Sequence, residues 1–294
     1  MEAAGQGVMA NVSEATSAIT APRGVSRLGK GGALYFVHSA RRFNAVAQYL
    51  AIVAIFVYFV YRGGEALNYN WQWARLPKYL VEFGDGHLVW GTLARGLVET
   101  IHISAYGFVL ALTIAVVTAL LRLSDSLAGR WIARFYVEAI RNTPLLVQIN
   151  IFYFVIAPIV GVDRFWAGVL CLSLFEGAFT SEILRSGILA IEAGQWEASA
   201  ALGLGRLATY RLIVLPQAIR MMLPPLVGVA VSLIKDSSIV SVIALFELTT
   251  AGRDVVAQTF MSFEIWFVVA AIYLGLTVPL SLTVYFIERR LKRR

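Results

Sequence analysis

The sequence has 294 residues, of which 59% are apolar and 15% charged, and its mean hydropathy is +0.72. Soluble domains average about 45–50% apolar and about 25% charged residues, and a chain of this length has too little interior to bury the excess. The composition therefore excludes an ordinary soluble enzyme. The net charge of +7 fits either a nucleic-acid-binding protein or a membrane protein with basic residues on one side of the bilayer.

Long stretches without Asp, Glu, Lys or Arg indicate where the chain crosses the bilayer. Four such stretches reach the length of about 20 residues that a spanning helix needs, and two more are interrupted only by Glu176 and by Lys235-Asp236. Isolated strands cannot satisfy their backbone groups in lipid, so each stretch predicts a helix. The predicted fold class is all-α, a polytopic membrane bundle of about six helices near 43–61, 97–121, 143–160, 165–184, 221–246 and 265–287.

The basic residues are concentrated in alternate connections. These are the amino-terminal tail, the two links at 122–141 and 185–220, and the carboxyl-terminal end at 289–294. Acidic residues balance the basic ones in the other loops. By the positive-inside rule, this pattern predicts that both termini are cytoplasmic. It also accounts for the net charge without nucleic acid as a partner.

The amino-terminal third divides into segments of different composition. Residues 1–42 are small, polar and glycine-rich, which predicts a disordered cytoplasmic tail. The apolar run that follows is longer than a signal-peptide core and lacks a cleavage site, which indicates a retained anchor. Tryptophans and tyrosines in 63–90 favour an outer interfacial loop. The predicted domains are thus the tail 1–42, an anchor helix and outer loop at 43–90, and a membrane core at 91–294.

Motifs for covalent chemistry are absent from the sequence. It has no G-x-x-x-x-G-K-[ST] phosphate loop, no G-x-S-x-G and no H-E-x-x-H. The lone Cys171 lies in an apolar run and is predicted to be a small core residue. We therefore expect no catalytic site, no cofactor and no metal.

The connection at 185–220 has an unusual pattern. The run from Glu197 to Leu202 is strongly helix-forming, and Gly203 and Gly205 predict a turn after it. A second short helix should cover 206–214 and end before Pro216. On these features alone the segment is a helix–turn–helix outside the membrane, or simply an amphipathic interfacial loop.

The spacing within this connection resembles the EAA loop of ABC-importer permeases, whose pattern is E-A-A-x3-G-x9-I-x-L-P. The only departure is a serine in place of the third-position alanine. The matching residues are Glu197, Ala198, Ser199, Gly203, Ile213, Leu215 and Pro216. Further segments resemble the polar-amino-acid branch of this family, namely 138–148, Glu182 with Arg185, 194–197 and 235–243. The resemblance covers roughly residues 90–290, so the first helix is an addition to a five-helix core.

The resemblance implies a function and a set of partners. The chain would be the permease subunit of an importer in the bacterial inner membrane, and the EAA loop would dock on a dimer of ATP-binding cassette ATPase subunits. A second permease chain, identical or related, would complete the pathway, and an extracytoplasmic binding protein would deliver a polar amino acid. The permease itself would not be an enzyme.

Charged residues inside the predicted spans are candidates for the pathway, because ionisable groups in lipid usually face a cavity or a partner. A break in the fifth helix is expected at Lys235-Asp236, where Ser237 and Ser238 follow. These residues either line the translocation path or cap the two halves of the helix. The candidate pathway residues are Glu176, Lys235, Asp236, Ser237 and Ser238.

Two other classes of protein fit the sequence less well than the importer. A secondary transporter or channel without an ATPase partner would more often show inverted repeats and interrupted helices in both halves, whereas this sequence has one interruption. A polytopic membrane enzyme would need a cluster of His, Asp or Glu at one membrane face, and the sequence has none.

Overall fold

The computed structural model describes residues 46–63, 69–84 and 87–291. They fall into two units, one before Trp71 and one from Trp71 onward. The predicted tail 1–42 lies outside the described residues. The first unit contains helix α1, Val46–Gly63, which is long and apolar enough to cross a membrane and whose side chains are largely exposed.

The second unit is built from long helices that follow a short outer segment. That segment consists of a 3₁₀ turn at Trp73–Arg75, a short helix α2 at Pro77–Leu80, and a hairpin of strands β1, Val81–Gly84, and β2, His87–Trp90. The hairpin is antiparallel, with Val81 opposite Trp90. It adds a small sheet to a region for which only an interfacial loop was predicted.

The remaining helices form the membrane bundle. Their bounds are α3, Thr92–Leu123; α4, Leu127–Arg141; α5, Leu145–Val160; α6, Arg164–Leu189; α7, Ala193–Ala201; α8, residues 206–236; α9, Leu248–Thr259; and α10, Ser262–Leu291. A 3₁₀ helix at Ser237–Ile243 extends α8.

Four of the six predicted spans agree with the helices of the structure, and those near 143–160 and 221–246 differ where they begin. Five described helices are long and apolar enough to cross a membrane, and a sixth span requires joining α4 to α5 across a bend of 109°. The segment 127–141 is a helix, whereas the sequence predicts it to be part of a link. Its apolar positions are mixed with arginines, so a search for charge-free stretches passes over it.

Helix α8 differs from the prediction at its start. The chain remains helical from Arg206 through Pro216, because a π-helical turn at Tyr210–Val214 precedes the segment that starts at Leu215. The wider turn accommodates a proline, which has no N–H to donate. The expectation that Pro216 ends a separate short helix was wrong. The predicted break at Asp236 is confirmed, since the helix changes there to 3₁₀ geometry and Ala244 adopts a left-handed conformation with φ of 52°.

The centre of the bundle is the contact between α3 and α6. Small residues on α3 allow the two helices to approach closely, as is common in membrane bundles, and Gly177 of α6 packs on Ile114 and on the carbonyl of Ala111. Cys171 is buried in the apolar cluster between these helices, as predicted. At the amino-terminal end of α3, a Cβ at Gly96 would lie only 2.7 Å from that of Ala251 and 3.0 Å from the Glu247 carbonyl.

Candidate functional site

The EAA segment, defined here as residues 193–216, folds as a helix, a glycine turn and the start of a second helix. Gly203 has φ of 72°, in the region that favours glycine. The N–H groups of Gly203 and Leu204 donate to the carbonyls of Ala200 and Ser199 at 2.9 and 3.1 Å. These bonds close the carboxyl-terminal end of α7, so the predicted turn is confirmed.

The two halves of the EAA segment are joined through Ser199. This side chain is buried, and its Oγ donates to the Trp196 carbonyl at 2.7 Å while accepting from Thr209 Oγ1 at 3.2 Å. The rings of Trp196 and Tyr210 add an edge-to-face contact at 5.2 Å. The serine that departs from the family pattern thus packs against its own chain with its hydroxyl satisfied.

The outward face of the EAA segment is both apolar and charged. Glu197 and Ala198 are exposed on α7, Ile213 is half-buried in the π turn, and Leu215 and Pro216 are exposed. Three further large apolar side chains are exposed here, those of Leu202, Leu207 and Leu212. An apolar surface of this kind around a carboxylate is suited to a protein partner.

A second candidate site lies between α6 and α8. A cavity of about 360 Å³, called the carboxyl cavity here, contains Glu176 and Asp236 in its lining. Glu176 is 4% exposed, and its carboxyl lies within interaction range of that of Asp236, which lines the same cavity. The remaining lining residues are Phe175, Phe179, Pro225, Gly228, Val229 and Ser232. The structure thus brings together two acids that are 60 positions apart in the sequence.

The other predicted pathway residues lie next to this cavity without lining it. Lys235 is exposed and interacts electrostatically with both carboxyls. Ser237 Oγ donates to the Ile234 carbonyl and Ser238 Oγ to the Lys235 carbonyl, each at 2.7 Å. The two serines therefore satisfy carbonyls at the end of α8, which was the structural alternative for them.

An ion-pair network connects α3 to α6 near the end of α6 that leads into α7. Glu182 accepts a hydrogen bond from Arg122 of α3 and another from Arg185 Nη2 at 2.9 Å. The pairing of Glu182 with Arg185 confirms the prediction from their i,i+3 spacing. Arg122 was not predicted as a partner, because nothing in the sequence relates a residue of α3 to one 60 positions later.

A further buried acid, Glu247, caps the amino terminus of α9. Its carboxyl accepts hydrogen bonds from the backbone N–H groups of Thr249 and Thr250, both at 2.7 Å, and from the Tyr273 hydroxyl at 3.1 Å. Burial raises the pKa of Glu247, and the donated hydrogen bonds oppose the shift in part. Sequence reasoning missed this residue. Its only sequence signal is an acid directly before a short Thr-rich helix.

Comparison with known proteins places this geometry in a family. Residues 107–293 match the family described as binding-protein-dependent transport system inner membrane component. The chain is 40% identical over 206 residues to the L-cystine transport system permease protein TcyB of Bacillus subtilis, covering 69% of this chain and 88% of that protein. It is 38% identical over 205 residues to the glutamine transport system permease protein GlnP of Escherichia coli, covering 69% and 92%.

The fold has a solved counterpart. A chain of an amino acid ABC transporter crystallised with histidines superposes with a TM-score of 0.64 at 33% identity, covering 68% of this chain and 94% of that one. The family match spans the EAA segment and all the residues that line the carboxyl cavity. The chain therefore belongs to the family of binding-protein-dependent transport system inner membrane components, as the permease subunit of an importer.

Proposed function

We propose that the chain forms half of the membrane pathway of an ATP-driven importer for polar L-amino acids. The relatives named above are permeases for cystine and glutamine, and another at 35% identity is the arginine transport system permease protein ArtQ of Bacillus subtilis. The common chemistry of these substrates is an α-ammonium and an α-carboxylate with a polar side chain. A second permease chain, identical or related, supplies the other half of the pathway.

The carboxyl cavity is the observation that carries this proposal. A buried acid that shares a cavity with a second acid binds a cation favourably, because the cation offsets the unfavourable interaction between the two carboxylates. The α-ammonium of an amino acid supplies such a charge. Phe175 and Phe179 form apolar walls for the rest of the substrate. Lys235, which lies next to the cavity, offsets part of the negative charge of the two carboxylates.

The EAA segment supplies the proposed coupling to ATP hydrolysis, which separate ATPase subunits perform as a dimer. Glu197 and the exposed leucines form the docking surface, and α8 leads from that surface to Asp236 in one helix. In this arrangement both termini and the EAA segment lie in the cytoplasm, and an extracytoplasmic binding protein delivers the substrate at the opposite side. Residues 91–294 are the permease proper, and 43–90 are an addition to it.

Substrate uptake in reconstituted vesicles tests the coupling. With cognate ATPase subunits and binding protein, Glu197→Arg should lower ATP-driven uptake at least tenfold and weaken copurification of the ATPase. Glu192→Arg is the matched control, because Glu192 is also exposed and lies next to α7. Normal uptake and assembly in Glu197→Arg, or an equal loss in Glu192→Arg, would contradict the proposed role of the EAA segment.

The same assay tests the pathway. Asp236→Asn keeps the shape of the side chain and removes its charge. We expect at least a tenfold effect, either as a higher substrate concentration for half-maximal uptake or as a lower maximal rate. Asp254→Asn is the control, since Asp254 is exposed on α9 away from the cavity. Wild-type kinetics in Asp236→Asn would refute an amino-acid site at the carboxyl cavity.

A further inference from the structure

Helix α4 has two distinct faces. Gly129, Ala133 and Val137 are buried on one face, against the rest of the bundle. The other face exposes a row of large apolar side chains spaced four residues apart, Leu127 at 66%, Trp131 at 64% and Phe135 at 76%. Residues with this spacing are neighbours on a helix surface, so the row is a continuous apolar strip.

Two arginines border the apolar strip. Arg130 and Arg134 are exposed and also four residues apart, and together with Leu127 and Trp131 they line a cavity of about 330 Å³ on the helix surface. The lining contains no acidic residue. It therefore combines positive charge with apolar and aromatic surface at one place.

The surroundings of this cavity increase its positive character. Arg122 is within electrostatic range of Arg134, Arg141 and Arg185. Of the nearby acids, Glu182 is engaged by Arg122 and Arg185, Asp125 pairs with Arg206 at 3.2 Å, and Glu138 accepts a hydrogen bond from Asn142 at 3.1 Å. An anion at Arg130 and Arg134 would therefore meet an excess of cations.

The direction of α4 indicates what covers this face. The bend of 109° makes α4 run nearly perpendicular to α5, which continues from it into the bundle. A helix nearly perpendicular to one that enters the membrane lies close to the membrane plane. Amphipathic helices in that position place their apolar side chains among acyl chains and their basic side chains among headgroups.

We propose that α4 is an interfacial helix with a binding site for an anionic phospholipid. Arg130 and Arg134 bind the headgroup phosphate, and Leu127, Trp131 and Phe135 contact the acyl chains. Arginine suits this role because its planar guanidinium donates two parallel hydrogen bonds to a phosphate. The site is separate from the carboxyl cavity and does not depend on which substrate the protein carries.

Lipid binding to the full chain, purified in mild detergent, tests the proposal. Native mass spectrometry with phosphatidylglycerol and with phosphatidylcholine of equal chain length should show at least tenfold tighter binding of the anionic lipid. The double variant Arg130→Gln/Arg134→Gln should lose about 30-fold in affinity for phosphatidylglycerol, since each arginine near an anionic surface contributes about fivefold. Its affinity for phosphatidylcholine should not change.

Two further variants separate site geometry from net charge. Arg289→Gln/Arg290→Gln removes the same charge from the end of α10 and should change phosphatidylglycerol binding less than threefold. Arg130→Lys/Arg134→Lys keeps the charge on α4 and should retain most of the preference. An unchanged preference in Arg130→Gln/Arg134→Gln, or an equal loss in the α10 variant, would overturn the proposal. So would displacement of the lipid by equimolar inorganic phosphate.

Quenching of tryptophan fluorescence by labelled lipids is a second test, and it leaves both arginines in place. Bromine-labelled phosphatidylglycerol should quench a tryptophan signal in the wild type that is missing in Trp131→Phe, and bromine-labelled phosphatidylcholine should quench it less. Equal quenching by both lipids would exclude an anionic site. Loss of quenching when ATPase subunits or a second permease chain assemble would show that a protein covers this face, which would also overturn the lipid assignment.

Discussion

The bundle buries carboxyl groups in two regions that differ in what faces them. At the start of α9, Glu247 is fully buried, and backbone N–H groups and the Tyr273 hydroxyl surround its oxygens. Between α6 and α8, Glu176 is almost as deeply buried, but it shares its cavity with another carboxyl, that of Asp236.

Under the proposed function, this difference separates a structural acid from a substrate-binding one. Glu247 has donors for its oxygens within its own chain, so it holds α9 in place and requires nothing from outside. The Glu176–Asp236 pair lines a cavity and has no donor from the backbone among the bonds described, which is why we propose that a cationic group of the substrate binds there. Burial alone therefore does not identify a binding residue, and the nature of the partner does.

The largest effect is expected from removing the structural acid. Glu247→Ala should lower the free energy of unfolding by about 2–4 kcal/mol, because it leaves the buried N–H of Thr250 and the part-buried N–H of Thr249 without their acceptor and removes one partner of the Tyr273 hydroxyl. Thermal unfolding in detergent measures this loss. Glu99→Ala is the control, since Glu99 is exposed on α3. Equal stability of the two variants would mean that the cap on α9 does not matter.

A smaller loss of stability is expected from Gly96→Ala. The added Cβ would meet Ala251 at 2.7 Å and the Glu247 carbonyl at 3.0 Å, and such overpacking costs about 1–3 kcal/mol. Gly275→Ala on α10 is the matched control, because nothing lies within 4 Å of a Cβ there. It should be neutral or slightly stabilising. A stable Gly96→Ala protein would show that α9 moves away from α3 easily.

For Glu176, which the proposed function places at the substrate, we expect a loss of uptake with little loss of stability. Glu176→Gln should leave the thermal midpoint within a few degrees of the wild type, while uptake falls about tenfold, which corresponds to about 1.4 kcal/mol. Uptake kinetics and thermal unfolding of the same preparation check both parts. If the variant lost stability to the same extent as Glu247→Ala and kept its uptake, the distinction between the two regions would fail.

The smallest effect is expected at Ser199. Ser199→Ala restores the alanine of the family pattern and removes the hydrogen bond from Thr209, so stability should fall by about 0.5–1.5 kcal/mol with uptake little changed. Thr209→Val removes the same bond from the other side and is the companion variant. A large loss of uptake in Ser199→Ala would mean that the hydroxyl itself takes part in coupling.

The sequence predicted the spans and the EAA segment because both depend on local patterns. Charge-free stretches mark helices in lipid, and the spacing from Glu197 to Pro216 fits one continuous segment. Gly203 predicted its turn because few other residues adopt positive φ at low cost. These features need no knowledge of how the helices pack.

The rest depends on contacts between distant positions. The meeting of Glu176 with Asp236, and of Arg122 with Glu182, follows from the packing of α3, α6 and α8, which no single-sequence pattern encodes. Helix α4 was missed because its arginines interrupt the apolar signal, and the continuity of α8 was missed because a proline normally ends a helix. In α8, the π turn at Tyr210–Val214 lets the helix continue through Pro216.

The π turn at Tyr210–Val214 has a mechanical consequence. Because it carries the helix past Pro216 without a break, Arg206 and Asp236 are the two ends of one continuous helix about 45 Å long, at about 1.5 Å per residue, with Pro224 and Pro225 in its interior. Tilting a rod of that length by about five degrees displaces one end relative to the other by about 4 Å, more than a hydrogen bond can stretch. In the proposed coupling, a modest push at the EAA segment is therefore enough to change the distance between Asp236 and Glu176 at the other end.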